Sequence, residues 1–326
     1  MQGENIMKKL TMKDIGLMTN VSQSTVSRVI SGHPNVKEEV RQKVLKCIND
    51  NNFLSDINAK IMRGESSNIL GFLSTNFDNP YYLEMVKYVE KQAREKGYTV
   101  IVMNSEKDEK IERAHLKELI RRKIDGIIVA PVSARNLKLV KDNQIPFVVL
   151  NEKITWADSF YTSLFNAGVE IAKFFKKKNY SKVGYIGEMY SDKLNGFLSE
   201  INKDKILNSE KSNILFTLEK GFKKRIKPLI KNVDKTCDAF FMSSDEIALT
   251  VIKETRKMNI NLYEKEIVGF DNTLVADTLE ISSIEQPMEE MVELAVEVLL
   301  KKIRKEIPLE KIFNIELEPK LIIRPK

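Results

Sequence analysis

The chain has 326 residues, of which 42% are hydrophobic and 30% charged, and its formal net charge is +7. It is too apolar for a disordered polymer, and its charges are spread too regularly for a bundle of membrane-spanning helices. The length indicates two or three domains at roughly 100 to 200 residues each. The basic surplus suits a polyanionic partner, but it would also serve solubility alone.

The sequence offers few of the residues that enzymes and metal sites use. Its two cysteines, Cys47 and Cys237, are far apart among apolar neighbours, so neither a disulfide framework nor a zinc knuckle is expected. The histidines are only His33 and His115, and no Walker loop, dinucleotide, zinc-protease or serine-hydrolase motif is present. We therefore expect a protein that is not an enzyme and needs no cofactor.

The thiols and the N-terminal segment favour a cytoplasmic protein, because unpaired cysteines suit a reducing compartment. Residues 1–14 contain no apolar signal region. No apolar run approaches the ~18 residues that cross a bilayer, so no membrane partner is expected.

Residues 1–54 have the pattern of three short helices without strand signals. Thr11 and Asp14 form a variant of the capping box that opens a helix. Gly16 would let the first helix cross closely over the second, and Asn20 tolerates the positive φ of a tight turn. This pattern predicts a small all-α helix-turn-helix unit.

One face of the second predicted helix carries side chains suited to base edges in the major groove of DNA. Arg28 can donate two hydrogen bonds to guanine, Gln23 can form two hydrogen bonds with adenine, and Ser24 can bond to either base. Any one of these groups alone is more simply a solvated side chain, but together they favour double-stranded DNA as a partner. Small donors at helix starts and turns, where phosphates usually dock, are Thr11, Ser22, Ser27, Ser31 and Asn35.

From residue 69 onward, short β-rich segments alternate with amphipathic helical ones, which is typical of βαβ units around parallel sheets. A first series has predicted strands at 69–74, 99–104, 126–129 and 147–150 and helices at 81–96, 110–122 and 137–142. A second series has helices at 167–178, 194–202 and 246–259 and strands at 182–186, 239–242 and 267–269. A helix at 288–305 and an extended tail at 312–323 come too late for this series and are expected to return to the first lobe.

The two predicted lobes would face each other across a cleft at the carboxyl ends of their strands, where ligands of such sheets bind. A sugar needs planar acceptors for its hydroxyls and an aromatic face for its C–H groups, which Asp271 and Tyr82 offer. The alternatives are that Asp271 caps the next turn and that Tyr82 belongs to the core. The strand ends carry Asn76, Phe77, Asp78, Tyr81, Tyr82, Ser133, Asn151, Glu188, Ser244, Asp245, Asp271 and Asn272.

Residues 10–64, beginning LTMKDIGLMTNVSQSTVSRVISG, resemble the DNA-binding headpiece of the LacI family of transcription regulators. Later segments resemble successive signatures of that family: GFLSTNFDNPYY, KIDGIIVAP, IPFVVLN, SKVGYIG, SSDEIAL, IVGFDN, SIEQPMEEM and LEPKLIIR. The resemblance implies a headpiece, a hinge helix and an α/β two-lobed core like that of periplasmic sugar-binding proteins. It also implies a homodimer or tetramer on a palindromic operator.

The resemblance assigns base contacts to the same three residues of the second helix. It places the hinge at 55–66, where Met62 would be the apolar wedge in the minor groove and Ala59 the small residue beside it. The alternative for Met62 is packing against its own core. In the core it assigns effector contacts to Asp271 and to Lys193, which stands where the family usually has arginine. The alternative for Lys193 is a side chain that faces solvent. The full set of candidate effector residues is Asp78, Tyr82, Ser133, Lys193, Ser244, Asp245 and Asp271.

These predictions define three regions: a headpiece at 1–54, a hinge and linker at 55–66, and a core at 67–326. In the core, the first lobe would comprise 67–159 and 288–317, and the second 160–287 and 318–326. The predicted function is a repressor of a carbohydrate-utilisation operon, controlled by a sugar or sugar phosphate between the lobes.

The segments AKIMRGES and RRKIDG resemble the trehalose-operon repressors, which implies trehalose 6-phosphate as effector, with Lys193 and a helix start near Tyr81 as anion partners. Two other classes remain open. One is a cytoplasmic sugar-binding sensor without specific DNA regulation, and the other is a hydrolase using Asp245 and Asp271.

Overall fold

The computed structural model describes residues 10–325 except 31, 52, 54–65, 181, 189, 202–214, 217–236 and 263. The chain divides into two compact units, Met1–Ser67 and Asn68–Lys326. The predicted hinge residues Ala59 and Met62 and the phosphate candidate Ser31 lie outside the described residues. Within the described ranges, no helix combines the length and the apolar character that crossing a bilayer requires.

The first unit contains helices α1 (Met12–Thr19), α2 (Gln23–Ile30) and α3 (Glu38–Asp50). Each helix turns one apolar face inward, and the three faces meet at the fully buried side chains of Ile15, Val26 and Val44. The remaining faces are mostly polar, although Leu17 and Met18 of α1 are also exposed. The three helices are thus arranged around a small apolar core.

The turn between α1 and α2 is built from the residues that the sequence indicates. The Asp14 carboxylate accepts a 2.8 Å hydrogen bond from the Thr11 N–H, which completes the capping box. Asn20 has a left-handed φ of 56°. A Cβ on Gly16 would lie 2.8 Å from the carbonyl oxygen of Val21, so the backbones approach closely here. The predicted helix-turn-helix is confirmed.

The second unit is an α/β structure. Its strands are β1 (Ile69–Ser74), β2 (Thr99–Asn104), β3 (Gly126–Val129), β4 (Phe147–Leu150), β5 (Ser159–Thr162), β6 (Val183–Gly187), β7 (Leu215–Phe216), β8 (Ala239–Met242), β9 (Glu266–Phe270), β10 (Ser282–Glu285), β11 (Asn314–Leu317) and β12 (Lys320–Ile322). Its helices are α4 (Pro80–Glu95), α5 (Glu109–Arg121), α6 (Ala134–Asp142), α7 (Leu164–Lys177), α8 (Asp192–Glu200), α9 (Asp245–Lys257), α10 (Leu274–Thr278) and α11 (Met288–Ile303).

The strands form two sheets, one in each lobe. The first has the order β11-β5-β4-β3-β1-β2 and is parallel throughout. The second has the order β12-β10-β9-β8-β6-β7 and is parallel except for β12, which runs antiparallel to β10. The predicted two-lobed core with doubly wound parallel sheets is confirmed.

Helix α11 returns to the first lobe, as its late position in the sequence predicts. Its buried residues Met291, Val292 and Ala295 pack in one core with Leu70 and Phe72 of β1. Burying this face is favourable at about 25 cal/mol per Å² of apolar surface, which ties the end of the chain to its first sheet.

The extended tail is shared between the sheets, because β11 pairs with β5 of the first sheet whereas β12 pairs with β10 of the second. One predicted boundary needs correction. The lobe boundary predicted between residues 159 and 160 cuts through β5, which is a strand of the first sheet up to Thr162. The predicted elements do not include strands β5, β7 and β10 or the short helix α10.

Candidate functional site

Helix α2 presents a polar face to solvent. Gln23, Ser24 and Arg28 are exposed, whereas Val26 and Val29 of the same helix are buried in the core of the first unit. The three side chains that the sequence assigns to base edges thus lie together on one exposed surface. Hydrogen-bonding groups with this geometry on a second helix can enter a DNA major groove.

The predicted phosphate contacts are spread over the starts of α1 and α2 and the turn before α3. Thr11 and Asn35 are exposed, and Ser27 is half-buried. Ser22 Oγ accepts a 3.2 Å hydrogen bond from the Thr25 N–H and lies 2.7 Å from Ser24 Oγ. Ser22 therefore caps the first turn of α2, which leaves its hydroxyl only partly available to a phosphate.

A cavity of about 520 Å³ lies between the two lobes of the second unit, at the carboxyl ends of their strands. This volume suits a small organic ligand, since such pockets measure roughly 300 to 1,000 Å³. Residues of both lobes line it: Asn79, Tyr81, Tyr82, Lys107, Asn151, Leu164, Glu188, Lys193, Ser243, Ser244, Glu246, Ile247, Thr250, Asp271 and Gln286.

The structure places four of the seven candidate effector residues on the cavity wall: Tyr82, Lys193, Ser244 and Asp271. Asp78, Ser133 and Asp245 are not among the lining residues. Asp78 is exposed, and the Ser133 N–H donates to Glu112 at the start of α6. These two positions follow strands of the first sheet, but neither residue lines the cavity.

The Asp245 carboxylate is used inside the second lobe. One oxygen accepts from the Thr273 N–H at 2.7 Å and the other accepts from the Ser283 hydroxyl at 2.7 Å. Burial raises the pKa of Asp245 to about 6, while the bonds from Thr273 and Ser283 oppose the shift. Asp245 thus links the start of α9 to the loop after β9 and to strand β10, where it stabilises the second lobe.

Some of the other lining residues lie at the carboxyl ends of strands, where the sequence predicts ligand contacts, and others do not. Tyr81, Asn151 and Glu188 lie at strand ends named from the sequence, but they were left out of the candidate set. Lys107 lies farther along the loop after β2, at a left-handed φ of 58°, and Gln286 lies in the passage to α11. No motif marks Lys107, and Gln286 lies in the segment SIEQPMEEM but is not among the candidate effector residues. The structure shows that both residues line the cavity.

An aromatic corner forms the first-lobe side of the cavity. The rings of Tyr81 and Tyr82 meet edge to face with centroids 5.4 Å apart. The Tyr81 hydroxyl donates a 2.8 Å hydrogen bond to Asn151 Oδ1, which fixes its ring. Burial raises the pKa of both phenols, so they remain neutral at physiological pH. Neutral rings of this kind can stack on the C–H face of a sugar.

Asp271 supplies a carboxylate on the second-lobe side. It follows β9 with a φ of 102°, a strained conformation for a residue with a side chain. One carboxylate oxygen accepts a 2.8 Å hydrogen bond from Gln286 Nε2. Burial raises the pKa of Asp271 to about 7 despite the opposing charge of Lys193. The carboxylate is therefore held in place and sensitive to its surroundings.

Lys193 lies in the first turn of α8 with its ammonium directed at the second sheet. Its Nζ donates a 2.9 Å hydrogen bond to the carbonyl oxygen of Ser243 and lies 3.7 Å from the centroid of the Phe270 ring. A cation over an aromatic face is attracted by the ring quadrupole. The cavity thus combines hydrogen-bond acceptors, aromatic faces and the Lys193 ammonium, which is hydrogen-bonded within the protein. This combination suits binding of a polyhydroxylated ligand.

The described residues contain no group of three or more His, Cys, Asp or Glu side chains that could hold a metal ion. The fold and the cavity define a two-lobed binding protein joined to a helix-turn-helix unit. A family model for bacterial regulatory proteins of the lacI family matches residues 11–56, and a periplasmic binding protein domain matches residues 70–306. The chain belongs to the LacI family of bacterial regulatory proteins.

Relatives in this family are similar along most of the chain. HTH-type transcriptional regulator DegA of Bacillus subtilis is 27% identical over 300 residues, covering 87% of this chain and 88% of that protein. Transcriptional repressor PurR of Proteus mirabilis is 27% identical over 330 residues, covering 96% of both. The solved Lac repressor dimer bound to operator and the anti-inducer ONPF has a TM-score of 0.80 at 17% identity, covering 97% of this chain and 98% of that one. This last likeness shows the fold.

Proposed function

We propose that this protein is a cytoplasmic, DNA-binding repressor of a carbohydrate-utilisation operon. Its operator affinity is controlled by a sugar or sugar phosphate in the cavity between the lobes. The observation that carries the proposal is the exposed face of Gln23, Ser24 and Arg28 on a helix-turn-helix unit that precedes a two-lobed binding core.

On DNA, α2 would lie in the major groove as one arm of a symmetric pair. Arg28 would contact guanine O6 and N7, and Gln23 would contact adenine N6 and N7. A homodimer or tetramer places two such helices on a palindromic operator. At the hinge, Met62 would insert between base pairs with Ala59 beside it, kinking the duplex so that more protein can contact it.

Control by the effector would act through the two lobes. The cavity takes residues from both, including Tyr82 from the first and Asp271 from the second, so a ligand there favours one lobe arrangement over others. A coupling free energy of about 1 to 3 kcal/mol between cavity and headpiece is enough for roughly 5- to 150-fold control of operator affinity.

Within this class of effectors, the resemblance to trehalose-operon repressors makes trehalose 6-phosphate one specific candidate. That version of the proposal requires anion partners on the cavity wall, for which Lys193 and the start of α4 are the candidates.

The test is a mobility-shift assay of the full chain on DNA from upstream of its own gene. A palindromic segment should bind far more tightly than a scrambled one at every salt concentration, because base contacts survive conditions that screen phosphate contacts. Addition of the effector should change the affinity. The control variant is Arg135→Ala, an exposed arginine of the core, which should behave as wild type.

Equal affinity for palindromic and scrambled DNA, with one steep salt dependence, would contradict the proposal. If a sugar still bound under those conditions, the protein would be a sugar-binding sensor without specific DNA regulation.

A further inference from the structure

We infer that the cavity takes an uncharged polyhydroxylated ligand, such as a free sugar, and rejects the phosphate ester of the same ligand, because Lys193 positions Asp271 instead of gripping an anion. The inference rests on the proposed function, since it names the class of effector. Three observations carry it: the contacts of Lys193, the donors at the helix starts and the unmet acceptors on the cavity wall.

The backbone of Lys193 is fixed by close packing of α7 against α8. A Cβ on Gly168 would lie 2.0 Å from the carbonyl oxygen of Lys193, and a Cβ on Gly196 would lie 1.9 Å from that of Phe165. Only glycine permits such an approach at both points. Close contact at these two points holds the backbone from which the Lys193 side chain extends.

The ammonium of Lys193 is already bonded within the second lobe. Nζ donates to the Ser243 carbonyl oxygen at 2.9 Å and lies 3.7 Å from the Phe270 ring centroid. Phe270 directly precedes Asp271, so the positive charge lies beside the Asp271 carboxylate and favours its ionised form. One of the three N–H donors of Lys193 is thus used within the lobe, and lysine lacks the planar fork through which arginine holds a phosphate.

The start of α4 has few donors left for an anion. Pro80 has no N–H, the Tyr81 N–H donates to Asn79 Oδ1 at 3.0 Å, and the Tyr82 N–H donates to the Asn79 carbonyl oxygen at 3.1 Å. A phosphate binds a helix start through N–H groups that have no other partner. Because these groups are used within the first turn, the start of α4 is a poor anion partner.

The start of α9 is equally unsuited to an anion. The Ile247 N–H donates to Ser244 Oγ at 3.2 Å, and the first turn carries Asp245 and Glu246. Two negative charges at this helix start already interact with its dipole.

The cavity wall instead offers acceptors that need donors. Carboxylates of Glu188, Glu246 and Asp271 line it, and Glu188 Oε2 is buried with no hydrogen-bond partner among the described residues. A buried acceptor without a donor is costly, and a ligand hydroxyl can supply the missing donor. The three carboxylates outnumber the ammonium groups of Lys107 and Lys193 on this wall. A phosphate group carries about −1.5 to −2 charges and three acceptor oxygens, so the wall would repel it.

The first experiment is calorimetric titration of the full chain with matched pairs of ligands. The pairs are trehalose and trehalose 6-phosphate, glucose and glucose 6-phosphate, and ribose and ribose 5-phosphate, with inorganic phosphate as the anion alone. In any pair that binds, the free sugar should bind at least about tenfold more tightly than its ester. An ester that binds more tightly than its sugar overturns the inference, as does binding of inorganic phosphate that Lys193→Met abolishes.

The second experiment needs no ligand and therefore separates this inference from the proposed function. Melting temperature is followed against pH for wild type, Lys193→Met, Lys193→Arg and the control Lys173→Met, an exposed lysine paired with Glu170. Loss of the Lys193 charge should raise the pKa of Asp271 further. The decrease in melting temperature that accompanies ionisation of Asp271 should then occur at higher pH. Lys193→Arg and Lys173→Met should leave the profile in place.

Several titratable groups besides Lys193 face Asp271, so the profile is read as a difference between variants. Those closest to it electrostatically are Asp245, Tyr81 and Tyr82. Glu188, Glu246 and Lys107 share its cavity, and Glu84, Glu285 and Glu289 line a second cavity beside it. All of them stay unchanged in the Lys193 variants. A profile that does not move in Lys193→Met overturns the positioning role.

Discussion

Gln286 Nε2 donates a hydrogen bond of 2.8 Å to the carboxylate of Asp271. Asp271 follows β9 in the second lobe, and Gln286 lies between β10 and α11, the helix that packs in the first lobe. The bond therefore ties a cavity carboxylate to a segment where the chain passes from one lobe to the other. A ligand that engages Asp271 acts next to this crossing point.

Replacement of this donor should weaken effector binding without affecting the DNA-reading face. In Gln286→Ala, Asp271 loses a hydrogen bond that favours its charged form, so its pKa rises and fewer molecules present an ionised acceptor at neutral pH. We expect sugar affinity to fall by about tenfold, as for loss of roughly 1.4 kcal/mol. Calorimetric titration measures it, with Gln92→Ala in α4 as the matched control. Unchanged affinity in Gln286→Ala would show that the bond does not position the carboxylate.

The stability of the core should depend on pH through Asp271. Burial raises its pKa from 3.8 to about 7 in the folded protein, whereas the unfolded chain ionises near the lower value. Between about pH 4 and pH 7 the folded state holds a proton that the unfolded state has lost, so stability falls as pH rises and levels off above this window. Asp245, raised to about 6, contributes over the lower part of the same window.

The variant that checks this is Asp271→Asn, measured by melting temperature across the window. Because asparagine does not titrate, the fall between about pH 6 and pH 7 should become shallower, and the part due to Asp245 should remain. An identical slope in wild type and variant would assign the proton to another group.

A buried ion pair holds the C-terminal segment to the first lobe. Lys302 Nζ lies 2.5 Å from the Asp158 carboxylate and donates to the carbonyl oxygens of Leu309 at 3.1 Å and Lys311 at 2.7 Å. Both charged side chains are nearly inaccessible, at 2% and 3% exposure. Lys302→Met leaves Asp158 buried without its partner and should reduce the free energy of unfolding by about 3 to 5 kcal/mol.

The neighbouring residue provides the control for this prediction. Lys301 pairs with Glu297 on the exposed side of α11, so Lys301→Met should lower the free energy of unfolding far less than Lys302→Met. Urea unfolding of both variants gives the comparison. Similar losses in the two would mean that the buried pair has no special role, and partial recovery in Lys302→Met with Asp158→Asn would support it.

The first unit should lose stability and operator binding when a side chain is added where α1 crosses closest to α2. A Cβ on Gly16 would meet the Val21 carbonyl oxygen at 2.8 Å, and this backbone atom belongs to the turn between α1 and α2. Gly16→Ala should destabilise the first unit by roughly 1 to 3 kcal/mol, as overpacking does. Operator binding should be lost while sugar binding by the core is retained. Lys13→Ala, an exposed residue of α1, is the control. Full operator binding by Gly16→Ala would show that the turn has room to adjust.

Much of the core could be predicted because its strands are short apolar runs bounded by turn residues. Four strands of the first sheet, β1 to β4, have the predicted bounds. Strand β5 lacks this signal. It pairs with β11, which lies at the far end of the sequence, so no local pattern reveals this partner. Strand β10 begins with the buried residues Ser282 and Ser283. The Arg324 N–H donates to Ser282 Oγ, and the Ser283 hydroxyl donates to Asp245, and no local pattern reveals such distant partners.

In the site, too, residues with a local sequence signal could be predicted. Strand ends and family resemblance point to four residues that line the cavity: Tyr82, Lys193, Ser244 and Asp271. Asp245 has the same sequence signal, yet its carboxylate is taken up by Thr273 and Ser283. Which carboxylate faces the ligand and which stabilises a loop depends on partners that only the folded chain brings together.

The central claim is that α2 reads base edges, and a binding-selectivity measurement on Arg28→Ala tests it most directly. Each base pair of an operator half-site is replaced in turn, and affinities are compared between wild type and variant at fixed salt. The account predicts that the variant loses discrimination, worth about 1 to 3 kcal/mol, at one base pair in each half-site and keeps it elsewhere. Uniform weakening at every position would make Arg28 a phosphate contact and contradict the account.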